Sequence, residues 1–345
     1  MKEIIEGLAG MSGLRDRDAL DFELVRLIAE ASGGTVTASV LMLVVGDPND
    51  LRCFTRAKLV KGSSRPERDP LWVDWNTLPR LVDFPRREQA LQTNHTVTLG
   101  KDPTVSVFPL GVALGASGFL EIESNQVLPE FVLDLIRSIL KSYQNVLGLL
   151  DYGEKDALTE LLNRKTFDGA FFKATAGQRM DYNGDMPDRR VEPDGAEYWL
   201  AVLDIDHFKR VNDNFGHLIG DEVLLLMARL MRANFRFHDQ LYRFGGEEFV
   251  ILMRCNDLEE AKSAYERLRA AVQAHSFPQV GTITVSIGFT VLIPNDTPSG
   301  AFGRADKAVY HAKAHGRNQV CSYQALIQSG DLVEEKAEEM DVDLF

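Results

Sequence analysis

Residues 241–253 read Leu-Tyr-Arg-Phe-Gly-Gly-Glu-Glu-Phe-Val-Ile-Leu-Met. Two apolar runs flank Gly245 and Gly246, and glycines tolerate the positive φ angles that a two-residue β-hairpin turn requires. The stretch therefore predicts a hairpin that turns at these two glycines. Two carboxylates, Glu247 and Glu248, follow directly. In a purely structural hairpin they would simply be exposed to solvent, so the hairpin alone does not decide a function.

A second pair of acidic residues lies at the end of an earlier predicted strand, Tyr198–Leu203. The run is Leu-Asp-Ile-Asp at residues 203–206. Carboxylates at the end of one strand and at the turn of a neighbouring hairpin can meet across a sheet. Together they would supply the hard oxygen ligands that Mg²⁺ prefers and leave positions for phosphate oxygens. Two such ions can clamp the attacking and departing oxygens of a phosphoryl transfer.

The chain around these motifs, residues 156–323, predicts an α+β domain. Helices are expected at 156–164, 220–235, 257–275 and 301–314, and a further strand at 283–292. The first of these helices has Asp156 or Thr159 available as its N-cap. Residues 175–197 are polar and rich in Gly, Pro, Asp and Arg, which predicts a mobile loop inserted before the first core strand. The βαββαβ order indicates an antiparallel sheet with helices on one face, as in polymerase palms.

These separated motifs, in this order, resemble the GGDEF family of diguanylate cyclases, here in a Gly-Gly-Glu-Glu-Phe variant. The resemblance implies that two GTP molecules are condensed into cyclic di-GMP with release of two pyrophosphates, by a homodimer that uses Mg²⁺ or Mn²⁺. It also implies that Asp204 and Glu247 are metal ligands, together with the backbone carbonyl of Ile205. Glu248 would complete the metal shell or help accept the proton of the attacking 3′-hydroxyl.

The same resemblance assigns the contacts to GTP. Asn212 and Asp221 match guanine-reading positions, and one carboxylate can accept both N1–H and N2–H₂ of guanine. The alternative for Asp221 is to cap the helix that follows it. His217 matches a residue near the base or ribose, and an ordinary structural histidine is an equally good interpretation. The expected phosphate contacts are the backbone and side chains near Phe208 and Lys209, and Lys313 and Arg317.

A possible inhibitory site precedes the hairpin. The run Arg-Phe-His-Asp at residues 236–239 has the spacing of the RxxD site of the resembled family. The resemblance implies that cyclic di-GMP, the product, binds there as an allosteric inhibitor. Arg236 would contact phosphate and guanine, Asp239 would contact guanine, and Arg267 could contribute from the following helix.

The first part of the chain, residues 1–128, also reads as α+β. A helical apolar face (Leu20, Leu24, Leu27, Ile28 and Ala31) ends at Ser-Gly-Gly, residues 32–34. Strands are expected at 35–45, 51–59, 96–99, 106–110 and 118–123. This order resembles a GAF-like sensory domain, and a PAS-like or another small α+β domain remains an alternative. A dimerisation module without a ligand is at least as compatible with these residues as a small-molecule sensor.

Residues 129–155 predict a helical linker between the two domains. Its apolar residues are spaced four, three, four, three and four apart, which is a heptad seam: Val132, Ile136, Ile139, Tyr143, Val146 and Leu150. The seam indicates at least partial use as a parallel dimer stalk. The alternative is a helix packed on the sheet of its own domain.

Charge and composition exclude several classes of function. There are 51 acidic and 38 basic residues, a net charge of −13, whereas wrapping a nucleic-acid backbone requires a basic surface. A nucleotide substrate stays possible because a divalent metal can supply positive charge locally.

We expect a cytoplasmic protein with no membrane partner, because no apolar run approaches the roughly 18 residues of a membrane span and no signal peptide is recognisable. Three scattered cysteines indicate reduced thiols. Residues 324–345 form an acidic C-terminal tail.

Three rival functions can be weighed on the same residues. A catalytically inactive receptor for cyclic di-GMP is disfavoured because Asp204, Glu247 and Glu248 are all present. A cyclase that makes an adenine or mixed dinucleotide is disfavoured by Asp221. A second, phosphodiesterase domain within this chain is excluded, because about 22 residues after Tyr323 are too few for an enzyme domain.

Overall fold

A computed structural model describes residues 2–47, 50–69, 73, 75–99, 103–113, 116–179 and 196–333. The chain divides into two compact units, one from Met1 to Lys155 and one that begins at Asp156. Each unit has its own main sheet and its own hydrophobic core. In the described part of the chain, no helix combines the length and apolar character needed to cross a membrane. The three cysteines are free thiols, as expected.

The first unit is an antiparallel sheet covered by helices. Its elements are α1 (Lys2–Gly13), α2 (Arg17–Ala31), β1 (Val36–Asp47), β2 (Asp50–Leu59), α3 (Pro85–Thr93), β3 (Val97–Leu99), β4 (Thr104–Ala113), β5 (Ala116–Ser124) and α4 (Glu130–Glu154), with short 3₁₀ turns at Trp75–Thr77 and Leu81–Asp83. The strands lie in the order β2-β1-β5-β4-β3. Helices α1, α2 and α4 pack on one face and α3 on the other.

The predicted apolar face of α2 is confirmed. Leu20, Leu24, Leu27 and Ile28 are buried, and the helix ends where Gly33 and Gly34 adopt positive φ, 65° and 71°. Helices α1 and α3 were not predicted. Glycines at positions 7, 10 and 13 weaken the helical pattern of α1, and α3 lies in a stretch rich in Arg and Pro.

Helix α4 carries the heptad seam, and the structure corrects the use expected of it. All six seam side chains are between 0% and 8% exposed and lie in the core of the first unit. Tyr143 also donates its hydroxyl to Asp21 on α2, with an O···O distance of 2.5 Å. Side chains buried in their own unit cannot form a coiled-coil seam with a second chain. The dimer-stalk interpretation of these residues is therefore wrong, and a helix packed on its own sheet explains them.

The second unit is built on a six-stranded sheet. Its elements are β6 (Leu162–Asn163), α5 (Arg164–Arg179), β7 (Glu197–Ile205), α6 (Phe208–Phe215), α7 (His217–Asn234), β8 (Gln240–Gly245), β9 (Glu248–Cys255), α8 (Leu258–Ala274), β10 (Ser276–Phe277), β11 (Gly281–Thr282), β12 (Val285–Val291), α9 (Pro298–Ala314), β13 (Val320–Ser322) and α10 (Tyr323–Ser329). The sheet order is β13-β12-β7-β9-β8-β6. The four central strands are antiparallel, and each outer strand is parallel to its neighbour. The mixed α+β class and the βαββαβ order are confirmed.

Helices cover both faces of this sheet, not one face as predicted. Along β7, Ala201 and Leu203 share a core with α7 and α8, whereas Leu200 and Val202 share a core with α5 and α9. Successive side chains of a strand point to opposite faces, so both faces of β7 are buried. The unbroken apolar run of β7 is typical of a strand covered on both sides.

The start of the second unit differs from the predicted helix. Asp156 closes a turn, because its Oδ1 accepts hydrogen bonds from Thr159 N at 2.8 Å and Thr159 Oγ1 at 2.7 Å. Helix α5 begins only at Arg164, where Asn163 Oδ1 accepts the Lys165 N–H at 2.9 Å. Asn163 therefore provides the cap expected of Asp156 or Thr159.

Three predicted segments lie partly outside the described residues. Residues 180–195 of the polar insertion are outside, and residues 175–179 belong to α5. The turn between β1 and β2 includes residues 48 and 49, and the acidic tail includes residues 334–345. Helix α10 lies in the segment assigned to that tail, and its Leu326 packs with Ala308 of α9.

Gly288 on β12 allows α9 to lie directly against the sheet. A Cβ atom at this position would stand 2.2 Å from Ala305 O and 2.3 Å from Val309 N. Both are backbone atoms of α9 and cannot rotate away. This close approach fixes α9, the helix that carries Lys313, above β7 and β12.

Gly288→Ala should therefore lower the free energy of unfolding by about 3 kcal/mol or more, at or beyond the upper end of ordinary overpacking. Chemical denaturation of the purified chain measures this loss. The matched control is Gly303→Ala on α9, where a Cβ atom would meet nothing within 4 Å. The control should be neutral or up to about 1 kcal/mol more stable. Equal losses in the two variants would contradict the packing argument.

Candidate active site

The hairpin turn is displaced by one residue from its predicted position. Strands β8 and β9 pair Gly245 with Glu248, so the two turn residues are Gly246 and Glu247. The reason is a register shift between Arg243 and Gly245. Both glycines nevertheless have positive φ, 147° for Gly245 and 52° for Gly246. Glu247 consequently stands in the turn itself, and Glu248 is the first residue of β9.

Strand pairing brings three carboxylates to one end of the sheet. Strand β9 lies antiparallel to β7, and Glu248 is directly opposite Asp204. Directly opposed residues on antiparallel strands have Cβ atoms about 5 Å apart. Glu247 precedes Glu248 in the turn, so Asp204, Glu247 and Glu248 form one acidic group.

Asp204 is buried and paired with Lys313. Its side chain is 9% exposed, and Lys313 Nζ lies 2.8 Å from its Oδ2 atom. Burial raises the pKa of Asp204, and the nearby charges of Asp206 and Asp306 raise it further, against the opposing effect of Lys313. The sequence predicts separate roles for Asp204 and Lys313, whereas the structure pairs the two directly.

Among the residues that the structure describes, neither Glu247 nor Glu248 forms an ion pair like that of Asp204 with Lys313. Burial raises the pKa of Glu247 and of Glu248, and the charge of Asp204 raises both further. Crowded carboxylates of this kind favour a bound cation or proton. Among the described residues, no three His, Cys, Asp or Glu side chains are arranged to hold a metal ion. The positive charge at Asp204 is that of Lys313 instead.

Asp306 is a member of this acidic group that the sequence analysis missed. It lies on α9, and its charge raises the pKa of Asp204 and of Glu248. Asp306 and Lys313 are seven residues apart, which is about two helical turns, so they share one face of α9. That spacing is the signal by which Asp306 could have been found.

The residues expected to read guanine lie on α6 and at the start of α7. Asn212, on α6, packs against Gly220, where a Cβ atom would stand 2.0 Å from Asn212 Oδ1. Gly220 thus makes room for the Asn212 side chain next to Asp221. Helix α7 begins at His217, so Asp221 lies inside the helix and does not cap it. Both His217 and Asp221 are exposed.

The residues expected near phosphates and metal differ in their exposure. Phe208 is 4% exposed and packs in the core of the second unit, which leaves only its backbone for ligand contacts. Ile205 is fully buried, which likewise leaves only its backbone carbonyl. Lys209 and Arg317 are exposed, and Arg317 has a positive φ of 63° in the turn after α9.

The hairpin turn is tied to the start of the second unit through Arg243. Arg243 Nη1 lies 3.0 Å from Asp156 Oδ1, and Arg243 Nη2 donates to the Gly246 carbonyl at 2.9 Å. A guanidinium that bridges two fixed acceptors restricts the motion of both. The turn that holds Glu247 is therefore braced from outside the hairpin.

The three residues of the expected inhibitory site lie close to one another. Asp239 accepts the Arg236 N–H at 2.8 Å, and its side chain is 6% exposed. Burial raises the pKa of Asp239 to about 6, against the opposing charges of Arg236 and Arg267. The Arg236 side chain is 66% exposed and lies 3.5 Å from Glu260. Arg267 donates to the Asn234 carbonyl at 2.6 Å.

Comparison with known proteins finds a family model and curated relatives that are similar to part of this chain. Residues 154–319 match the family model described as diguanylate cyclase, GGDEF domain. Diguanylate cyclase DgcP of Pseudomonas aeruginosa is 48% identical over 134 residues, which cover 38% of this chain and 20% of that protein. Diguanylate cyclase VdcA of Vibrio cholerae is 36% identical over 172 residues, which cover 48% of this chain and 45% of that protein. The chain thus spans less than half of either relative.

A solved structure is also similar to part of this chain. It is the GGDEF domain of DgcB from Caulobacter crescentus in complex with c-di-GMP, with 32% sequence identity and a TM-score of 0.44. The match covers 50% of this chain and 94% of that one. The family model and the two curated relatives thus agree in their similarity to the GGDEF domain of diguanylate cyclases.

The buried Asp239 predicts a specific pH dependence of stability. Its pKa is about 6 in the fold, above the ordinary value of 3.8, so the fold is increasingly penalised relative to the unfolded chain as pH rises between these values. Asp239→Asn removes that penalty and should stabilise the chain by about 1–3 kcal/mol at pH 7. The gain should vanish as the pH falls through 6 to 4.

Chemical denaturation at several pH values measures this difference. Asp213→Asn, on the exposed surface of α6, is the matched control. Burial also lowers the pKa of the neighbouring His238 to about 4. His238 is present in the wild type and in the Asp239→Asn variant, so its contribution to the pH dependence of stability cancels to first order when the two are compared. A gain that is equal at pH 4 and pH 7 would contradict the prediction.

Proposed function

We propose that this chain is a diguanylate cyclase that condenses two GTP molecules into cyclic di-GMP and releases two pyrophosphates. The observation that carries the proposal is the meeting of Asp204 with Glu247 and Glu248 at one end of the sheet. The match of residues 154–319 to the GGDEF domain of diguanylate cyclases supports it.

The acidic group has the chemistry of a site for Mg²⁺ or Mn²⁺. Asp204, Glu247 and the Ile205 carbonyl would hold the ion, and Glu248 would complete its shell or accept the proton of the 3′-hydroxyl. All of these are hard oxygen donors. Burial and the neighbouring negative charges raise the pKa of Asp204, Glu247 and Glu248, and a bound cation would stabilise carboxylates in such surroundings. A divalent ion, when bound, stabilises the negative charge that develops on the transferring phosphoryl group.

GTP would bind between this acidic group and the α6–α7 segment. Asp221 would accept the N1–H and N2–H₂ groups of guanine, and Asn212 would bind the base beside it. His217 would lie near the base or ribose. Selection against ATP follows, because the adenine N1 atom offers no hydrogen to a carboxylate. The phosphate contacts would come from Lys209, Lys313, Arg317 and the backbone at Phe208.

Each second unit holds one set of these residues, so the reaction would need two chains. In the proposed homodimer, each 3′-hydroxyl oxygen attacks the α-phosphorus of the partner's GTP. The new oxygen–phosphorus bond forms as the bond to pyrophosphate breaks. We propose a GAF-like sensory or dimerisation role for the first unit. The buried seam of α4 cannot supply the dimer contact.

Product inhibition would act through Arg236, Asp239 and Arg267. The exposed Arg236 guanidinium is suited to a phosphate of cyclic di-GMP. Burial shields the Asp239 carboxylate from water and raises its pKa. A guanine edge would supply hydrogen-bond donors in place of that water. Binding there would require Arg236 to leave Glu260.

Glu247→Gln should lower the rate of cyclic di-GMP formation by about 100-fold or more, since it removes one charged oxygen from the acidic group without changing its size. The experiment incubates the purified chain with GTP and Mg²⁺ and identifies the product by chromatography and mass spectrometry. Glu259→Gln, exposed in the first turn of α8, is the matched control and should keep wild-type activity.

Two results would overturn the proposal. Wild-type protein that makes no cyclic di-GMP at high concentration but binds it would indicate a receptor without cyclase activity. A Glu247→Gln variant as active as the Glu259→Gln variant would remove Glu247 from the reaction.

Arg236→Ala should raise the concentration of cyclic di-GMP needed for half-maximal inhibition by about tenfold or more, because a charge-assisted contact to phosphate is lost. Initial rates at increasing added product measure the shift. Arg229→Ala, at an exposed position on α7, is the control and should be inhibited like the wild type. Unchanged inhibition of the Arg236→Ala variant would exclude this site.

A further inference from the structure

Asp206 lies two residues beyond Asp204 and has a different environment. It is 5% exposed, and its carboxylate accepts three hydrogen bonds. Thr284 Oγ1 donates at 2.7 Å, Ser286 Oγ at 2.7 Å and the backbone N–H of Asn318 at 3.0 Å. A buried carboxylate with three donors is satisfied without a cation. Asp206 is therefore a fixed anchor and not a free metal ligand.

Of the three hydrogen bonds to the Asp206 carboxylate, the one from Asn318 reaches a different part of the fold from the other two. Ser286 lies in β12 and Thr284 directly precedes it, and β12 is already paired with β7 through Ser286 and Asp204. Asn318 lies outside that pairing, in the turn between α9 and β13. The Asp206 carboxylate thus connects the end of β7 to this turn.

The turn has an unusual backbone that requires anchoring. Gly316, Arg317 and Asn318 have positive φ angles of 108°, 63° and 46°. Residues other than glycine adopt this conformation in succession only where their surroundings impose it. One fixed contact is internal, from the Arg317 N–H to the Ala312 carbonyl at 2.9 Å.

The other contacts hold Asn318 from two sides. Asp206 accepts its backbone N–H, and Arg269 of α8 donates to its Oδ1 atom at 2.8 Å. Arg317 makes the internal contact itself, and the next residue, Asn318, is the one held by both anchors. Gln319, the next residue, is held to β12 by the Ile287 N–H at 3.0 Å. Asp206 is thus the contact that ties the backbone of Asn318, directly after Arg317, to the end of β7 beside Asp204.

We propose that Asp206 is a positioning residue, which holds the turn at residues 316–318 so that Arg317 reaches the triphosphate of GTP beside Asp204. The inference rests on the proposed function. It assigns the second aspartate of the Asp-Ile-Asp run to the substrate through Arg317 and not to the metal.

Asp206→Asn tests this role with little change in side-chain volume. A hydroxyl can turn to donate or accept, so Thr284 and Ser286 can adapt to an amide. A backbone N–H cannot, so an amide that turns its NH₂ group towards Asn318 loses this contact, and one that turns its oxygen there keeps only a neutral and weaker hydrogen bond. We expect KM for GTP to rise by about tenfold, with a smaller change in kcat.

A double-mutant cycle separates positioning from general loss of structure. Arg317→Ala alone should raise KM by a similar factor, and the double variant should be no worse than Arg317→Ala alone, since Asp206 acts through Arg317. Affinity for a non-hydrolysable GTP analogue gives the same cycle without turnover. Additive effects in the double variant, or an unchanged KM in Asp206→Asn, would overturn the proposal.

Asp296→Asn is the matched control. This carboxylate is also buried, and it accepts hydrogen bonds from Ile293 N at 2.9 Å and Arg304 Nη1 at 2.8 Å, but it lies beyond the opposite end of β12. It should lower stability and leave KM unchanged. If Asp206→Asn does not fold, Arg269→Met releases the second anchor of Asn318 and should raise KM in the same direction. An unchanged KM in that variant would then count against the proposal.

Failure of the proposed function gives a different result. A wild-type chain that binds the GTP analogue with the expected cycle but forms no cyclic di-GMP would contradict the cyclase alone. A wild-type chain that does not bind the analogue would overturn both.

Discussion

The antiparallel pairing of β7 with β9 is the constraint on which the candidate site depends. It sets Asp204 opposite Glu248 and leaves Glu247 in the adjoining turn. Burial disfavours the charged form of all three carboxylates, and like charges this close repel one another, so the pKa of each is raised. The apolar runs of both strands, buried on two faces, provide the stability that keeps this acidic group together.

A second constraint brings the positive charge to the same place. The absence of a side chain at Gly288 lets α9 contact the sheet, and α9 carries Lys313 to Asp204. The turn after α9 is then fixed by Asp206, two residues from Asp204 on the chain. Strand register, helix approach and one buried carboxylate thus determine where the acidic and basic residues of the site lie.

Contiguous motifs could be predicted from the sequence, and choices between equivalent packings could not. The hairpin and its carboxylates follow from a short run whose chemistry is local. The turn was predicted at Gly245 and Gly246, one residue early, because both glycines tolerate positive φ. Only the register of β8 with β9 shows that the turn residues are Gly246 and Glu247. The α4 seam was misread because heptad spacing serves a dimer and a helix on its own sheet equally well. Asp206 was passed over because its three donors come from distant segments.

The most direct test of the account is a crystal structure of the chain with Mn²⁺ and a non-hydrolysable GTP analogue, measured with anomalous scattering. The account predicts an anomalous peak bound by Asp204, Glu247 and the Ile205 carbonyl, with Lys313 moved from Asp204 to a phosphate oxygen. A bound nucleotide with no anomalous peak at these carboxylates, and with Lys313 still paired to Asp204, would contradict it.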